Sequence, residues 1–99
     1  MIDIVVPRVG ETGTEYDIVK LVEWKVTEGD RVERDDTVLY LETEKASCDV
    51  DAEASGFLHI LVREGDKAMI GAVVGIIAET REELERLQKE QPLKPAQEP

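Results

Sequence analysis

Apolar residues in this chain recur at every second position within short runs, and Gly- or Asp-containing breaks separate the runs. That period-two pattern predicts β-strands rather than helices. Ile2, Ile4 and Val6 alternate with Asp3 and Val5 and are closed by Pro7, which reads as a first strand. Residues 10–17 are polar, contain Gly10 and Gly13, and read as a surface loop. A longer strand is expected over 18–26, with alternation that falters around Trp24, and another over 37–42. The cleanest alternation follows: Ala46, Cys48, Val50 and Ala52 face one way, and Ser47, Asp49, Asp51 and Glu53 the other. One small apolar face and one acidic face suit a half-buried antiparallel strand, with Cys48 turned inward as a small hydrophobe. Ser55-Gly56 reads as a turn, 57–63 as a strand, and 73–78 as the strand that closes the domain.

The runs repeat. Val26-Thr-Glu-Gly-Asp-Arg-Val32 and Val62-Arg-Glu-Gly-Asp-Lys-Ala68 lie 36 positions apart. At that offset Leu21, Val22 and Trp24 fall on Phe57, Leu58 and Ile60, Val38 falls on Val74, and Leu41 on Ile77. Each Glu-Gly-Asp is a turn, because Gly accepts positive φ and Asp bonds nearby backbone amides. Short strands, regular turns and an internal repeat predict an all-β fold. The expected form is a flattened barrel or sandwich of two four-stranded antiparallel sheets with pseudo-twofold symmetry. Symmetry also places the segment around Lys45 at the handover between halves, far from the two ends of the domain.

Beyond residue 79 the character changes. Thr80 and Glu83 fit a capping box, Glu82/Arg86 and Glu85/Lys89 are favourable i, i+4 pairs, and Leu84 and Leu87 form a narrow apolar stripe. The expectation is one β domain over 1–79, a short, weakly docked or fraying helix over 80–91, and the start of a Pro-rich linker over 92–99.

Charge and composition then narrow the function. With 23 acidic and 12 basic residues among 99, the net charge of −11 opposes binding to nucleic acid or anionic membrane. One cysteine, Cys48, cannot make an internal disulfide, and no run is long enough to span a membrane. The expectation is a small monomeric protein of the cytoplasm, or of the mitochondrial matrix if a transit peptide was removed. No cysteine pair, metal-ligand cluster, phosphate loop or nucleophile constellation stands out, so no catalytic residue and no metal site is expected. His59, the only histidine, is expected at a partly exposed strand position.

What remains is Lys45, in Leu41-Glu-Thr-Glu-Lys-Ala-Ser-Cys48 between two strands. A lysine at a hairpin tip is either an ordinary surface residue or a tether for a covalent group. Acylation would abolish its charge and leave a local surface dominated by Glu42, Glu44, Asp49 and Asp51.

Glu42-Thr-Glu-Lys-Ala-Ser47, the apolar–acidic strand after it and the two Glu-Gly-Asp turns resemble the lipoyl domains of 2-oxo acid dehydrogenase complexes. In that family an acidic residue, the modified lysine and a small residue form a hairpin tip, matched here by Glu44, Lys45 and Ala46. Glycines sixteen residues before and eleven after the lysine are matched by Gly29 and Gly56, and the N-terminal edge by Pro7-x-x-Gly10-Glu11. The resemblance covers residues 1 to about 79, and Lys-Ala-Ser is most like the pyruvate or branched-chain carriers. Departures are Asp51 and Glu53 where proline is common, Tyr40 where an acid is frequent, and Cys48 where methionine or another larger apolar residue is common.

The resemblance implies lipoic acid in amide linkage to Lys45, installed by a lipoate ligase or lipoyl transferase, and a swinging arm. A thiamine-dependent 2-oxo acid decarboxylase would load it, an acyltransferase catalytic domain outside this chain would pass the acyl group to coenzyme A, and dihydrolipoyl dehydrogenase would reoxidise it. It also implies that the loop over 10–17, with Glu11, helps the decarboxylase recognise its carrier, and that Glu42 contributes to the same surface. Biotin carriers share the fold but usually flank the lysine with methionines. A glycine-cleavage lipoyl carrier and an unmodified lipoyl-like adaptor remain the other readings.

Overall fold

The computed structural model describes residues 1–7, 18–43 and 46–93. Eight strands and one helix are present among them: β1 (Ile2–Val5), β2 (Ile18–Trp24), β3 (Arg31–Val32), β4 (Thr37–Glu42), β5 (Ser47–Asp51), β6 (Gly56–Ile60), β7 (Lys67–Met69), β8 (Val73–Ala78) and α1 (Arg81–Glu90). They form two four-stranded antiparallel sheets, ordered β1-β8-β6-β3 and β5-β4-β2-β7. The expected fold class is the observed one. The core between the sheets is aliphatic, with Leu21, Val38, Leu39, Leu41, Leu58 and Val74 all inaccessible to solvent.

The repeat is visible hydrogen bond by hydrogen bond. Lys25 N–H donates to the Val38 carbonyl at 2.8 Å, and 36 residues on Leu61 N–H donates to Val74 at 2.9 Å. Asp30 and Asp66 likewise donate to Thr27 and Arg63. The two glutamates of the Glu-Gly-Asp turns reach across the molecule symmetrically. Glu64 Oε1 accepts from Trp24 N–H at 3.0 Å, and Glu28 Oε1 accepts from Ile60 N–H at 2.6 Å. Each half therefore closes the other's strand with a carboxylate. The faltering alternation near Trp24 has a local cause: β2 carries a bulge against β4 between Leu21 and Glu23.

Three readings of the sequence are corrected here. Gly29 has the positive φ expected of it (+84°), but Gly56 is a strand residue of β6 with no positive φ. A Cβ on Gly56 would lie 2.2 Å from the Ala78 carbonyl oxygen, so the glycine is needed for close approach of two backbones rather than for a turn. His59 is buried, at 2% exposure, where a partly exposed position was expected. The helix is not weakly docked. Its cap is as expected, with Thr80 Oγ1 accepting from Glu83 N–H at 3.1 Å, although Glu83 accepts from Glu79 N–H one residue before the cap. Leu84 and Leu87 are then buried to 5% and 2%. The helix packs on β6 and β8, the strands that pair Phe57 with Ala78 and His59 with Ile76.

The C-terminal end of α1 is clamped. His59 Nδ1 lies 2.8 Å from Glu28 Oε2, and His59 Nε2 lies 2.5 Å from the Gln91 carbonyl oxygen just beyond the helix. Both partners are oxygen atoms, so the ring bridges the Glu28 turn and the end of the helix. Gln88 Nε2 donates to the same Glu28 oxygen at 2.8 Å. Desolvation pushes the Glu28 carboxyl up, but hydrogen bonds from Gln88, His59 and the Ile60 amide outweigh it and hold the group below the ordinary value of 4.5.

Candidate functional site

The β4–β5 hairpin is the longest-paired ribbon of its sheet. Its register runs from Thr37↔Asp51 to Glu42↔Ser47, with one irregularity between Thr37 and Leu39. The pairing continues one residue further: Thr43 N–H donates to the Ala46 carbonyl at 2.7 Å. The Thr43 hydroxyl accepts from Ala46 N–H at 3.0 Å and lies 3.2 Å from the Ala46 carbonyl, so one side chain ties both ends of the connection. Only Glu44 and Lys45 intervene between those two residues. Both lie outside the described residues, as do Glu11 and the loop over 10–17, so the structure speaks to the frame around the lysine.

That frame suits a displayed amine. Glu42 and Ser47, the last strand pair before the connection, are exposed, and Ala46 is half-buried against the core. Ala46 anchors the base of the hairpin, while Glu42 faces solvent in a cross-strand row with Lys20 and Ser47. Asp49 and Asp51 point outward from β5, and Cys48 and Val50 lie half-buried on the opposite face. Burial pushes the Cys48 thiol up, with the Asp49 charge adding to the effect, so Cys48 is a packing residue with little thiolate character. Nothing among these residues is arranged to do acid–base or nucleophilic chemistry. Among the described residues, no group of three His, Cys, Asp or Glu side chains could hold a metal ion.

The residues singled out in the sequence are not all brought together. Glu42 and Ala46 stand at the lysine hairpin, whereas Gly29 and Gly56 lie at the other end of the molecule. Gly29 N–H donates to Leu58, and Gly56 pairs with Val32 next to Ala78. Their fixed spacing from Lys45 reflects the architecture of the fold and not a shared site. The domain ends meet at that same distal end, where Ile2 pairs with Ile77 and the Met1 amine lies 3.2 Å from Glu79. A groove of about 690 Å³, lined by Trp24, Glu28, Ile60, Gln88, Pro92 and Leu93, belongs to the clamped end of α1 and not to the hairpin.

The comparisons with known proteins agree with this geometry. The biotin/lipoyl family, described as "Biotin-requiring enzyme", matches residues 2–77. The solved lipoyl domain of the 2-oxoglutarate dehydrogenase complex of Azotobacter vinelandii superposes with a TM-score of 0.65 at 31% identity, covering 80% of this chain and 98% of that one. This chain is a lipoyl domain. Among curated relatives, a chloroplastic dihydrolipoyllysine-residue acetyltransferase of the pyruvate dehydrogenase complex of Arabidopsis thaliana is 38% identical over 84 residues. A dihydrolipoyllysine-residue succinyltransferase of Bacillus subtilis is 35% identical over 80 residues. The lipoyl domain spans 84% and 80% of its own length in those matches, but only 17% and 18% of the relatives'. Helix α1 lies beyond the family match, and no described helix is long and apolar enough to cross a membrane.

Proposed function

We propose that this lipoyl domain is the carrier module of a dihydrolipoamide acyltransferase, with lipoic acid held as an amide on Lys45. One observation carries the assignment: the strand pair is closed by Thr43 and Ala46 on either side of Glu44 and Lys45, with exposed neighbours below. An amine there fits acylation, which needs access and little steric bulk, and the dithiolane so attached supplies acyl-carrying and redox chemistry. The protein's part is to present the lysine, keep its surroundings free of competing nucleophiles and be recognised. Flanking carboxylates at Glu42 and Asp49 leave the hairpin acidic once the lysine charge is removed.

The partners of this reading are a thiamine-dependent 2-oxo acid decarboxylase, dihydrolipoyl dehydrogenase, an acyltransferase catalytic domain and a lipoate ligase or lipoyl transferase. Residues 1–79 are the carrier, and the Pro-rich segment 92–99 is the start of a tether that raises the arm's effective concentration at several active sites. Relatives of acetyl- and succinyltransferase type match at similar identity, so the substrate is assigned as a class, the 2-oxo acids, with pyruvate the first to test.

The test is the intact mass of the protein after incubation with lipoate, ATP and a lipoate ligase, beside Lys45→Arg. One lipoyl increment is expected, absent in the variant, which keeps the thermal stability of the parent. An increment retained in Lys45→Arg, or none in the parent, overturns the assignment.

A further inference from the structure

Exposure of an amine does not by itself single out one lysine of this domain. Lys20, Lys25, Lys67 and Lys89 are all exposed. Lys20 and Lys67 sit within β2 and β7, Lys25 directly follows β2, and Lys89 is in the last turn of α1. An enzyme that acylates Lys45 and spares these has to read the backbone that presents the amine. The described part of that frame is Thr43 and Ala46, the residues on either side of Glu44 and Lys45.

Other four-residue turns of the domain close through a carbonyl. Asp30 donates to Thr27, Asp36 to Glu33, Asp66 to Arg63 and Ala72 to Met69, each from the fourth residue's amide to the first residue's carbonyl. In the segment 43–46 the fourth residue's amide, Ala46 N–H, donates at 3.0 Å to the first residue's hydroxyl. The backbone bond there runs the other way, from Thr43 N–H to the Ala46 carbonyl at 2.7 Å, and the hydroxyl lies 3.2 Å from that carbonyl. One residue therefore holds both polar backbone groups of Ala46.

Holding Ala46 fixes where the return strand begins. Ala46 packs half-buried against the core, and Ser47 beyond it is the first residue of β5 to pair with β4. A slip of one residue would exchange the half-buried and acidic faces of β5 and change how many residues separate the strands. The fold alone does not ask for a hydroxyl at this point. Thirty-six positions on, the equivalent of Thr43 is Glu79, where the chain leaves β8 for α1. The pairs from Thr37↔Asp51 to Glu42↔Ser47 hold the ribbon below Thr43 without it.

We propose that Thr43 is the positioning residue of the lipoylation site: its hydroxyl holds Ala46, and the lipoate ligase reads the frame so fixed. This rests on the carrier reading above. In the ligase reaction ATP activates lipoate as an acyl adenylate, with release of pyrophosphate. The Lys45 amine then forms an amide with the lipoyl carbonyl, the acyl–phosphate bond breaks, AMP leaves and the amine loses a proton to solvent. Attack needs the amine within about 3–3.5 Å of that carbonyl. A frame held in one arrangement meets this demand at every encounter. Where only a fraction of molecules hold it, apparent affinity for the enzyme falls by that fraction, so loss of the hydroxyl belongs in KM.

The experiment uses the unmodified 99-residue chain with lipoate, ATP and a lipoate ligase, and compares it with Thr43→Val and Thr43→Ser. Valine keeps the shape of threonine and removes the hydroxyl; serine keeps the hydroxyl and removes the methyl group. Initial rates from intact mass give kcat and KM for the protein substrate, at a temperature where circular dichroism shows the chains folded. Amide hydrogen exchange at Ala46 reports the frame directly. For Thr43→Val, KM is expected to rise about five- to tenfold at unchanged kcat, the scale of one lost hydrogen bond. Ala46 exchanges faster in that variant, and Thr43→Ser keeps the KM and the exchange rate of the parent. Equal KM in parent and Thr43→Val overturns the proposal and leaves the carrier reading standing. So does a serine chain as poor as the valine chain, which would assign the effect to the β-branched shape. A valine chain that does not fold overturns it too, since the hydroxyl is then part of the fold. A folded parent that gains no lipoyl increment overturns both readings.

Discussion

At the scale of single residues, two glycines with the same apparent status turn out to be constrained by different physics. Gly29 is fixed by its φ of +84°, and an added Cβ there meets nothing nearer than Leu84 Cδ2 at 3.9 Å. Gly29→Ala therefore carries a conformational cost of about 1–2 kcal/mol and no clash. Gly56→Ala places a methyl group 2.2 Å from a backbone oxygen and 2.7 Å from Ile77 Cγ2, so β6 and β8 must separate. The cost is expected at about 3 kcal/mol or more, at the upper end of overpacking effects. Urea denaturation of the two variants checks this; equal midpoints would show that the close approach relaxes freely. The sequence located both glycines by spacing, yet could not distinguish a dihedral constraint from a steric one. The second depends on Ala78, twenty-two residues on, whose partner strand is known only from the fold. Cys48 was legible because its determinant, period-two alternation, is local.

Elements show the same division. Strands, turns and the repeat were legible, since each is written in a short window. The docking of α1 was missed because its two leucines looked insufficient by themselves. The overlooked signal was in β8: Val73 to Ala78 is apolar at every position, apart from one glycine, so both faces of that strand call for cover. Leu84 and Leu87 supply it on one side. His59 was misplaced for the same reason, since its burial comes from the helix end and Gln91, more than thirty residues away. The clamp makes a pH prediction. Glu28 has a folded pKa below its ordinary 4.5, so its stabilisation is complete above that value. It is lost as pH falls through the lower, folded pKa. Glu28→Gln turns an acceptor of three hydrogen bonds into an amide that cannot accept all of them, at a cost of about 1–3 kcal/mol near neutrality. Thermal melts of parent and variant should differ at pH 7 and converge on acidification below pH 4.5. A constant difference across that range would mean that Glu28 does not hold the helix as an anion.

Over the whole molecule, pseudo-twofold symmetry separates β1 and the start of α1 from the β4–β5 hairpin. The β4–β5 hairpin in one sheet corresponds to the meeting of β8 and β1 in the other, so β1 and the start of α1 sit opposite the closed end of that hairpin. Helix α1 then folds back over the outer face of the sheet that does not bear the hairpin, and it contributes stability without approaching the site. A chain ending at Glu79 loses the burial of Leu84 and Leu87, each about 1.5–3 kcal/mol, and uncovers His59 and the β6 and β8 strands that α1 packs on. Ordering ten helical residues opposes the helix, and its own hydrogen bonds, its cap and the His59 clamp act with that burial against this cost. A net loss of about 3 kcal/mol corresponds to a fall in melting temperature of about 12–24 °C for a domain this small. The family match ends at residue 77, so the shortened chain retains the complete two-sheet framework. It should therefore fold at low temperature and accept lipoate on Lys45 at the rate of the parent, because the Thr43–Ala46 closure and its row of neighbours are untouched. Circular dichroism melts and a time course of intact mass, both begun at a temperature where the shortened chain is folded, test the two halves together. A melting temperature equal to the parent's would show that the helix is a passenger. A lipoylation rate that falls in a folded chain would show that the two ends of the molecule are coupled, against the separation that the symmetry provides.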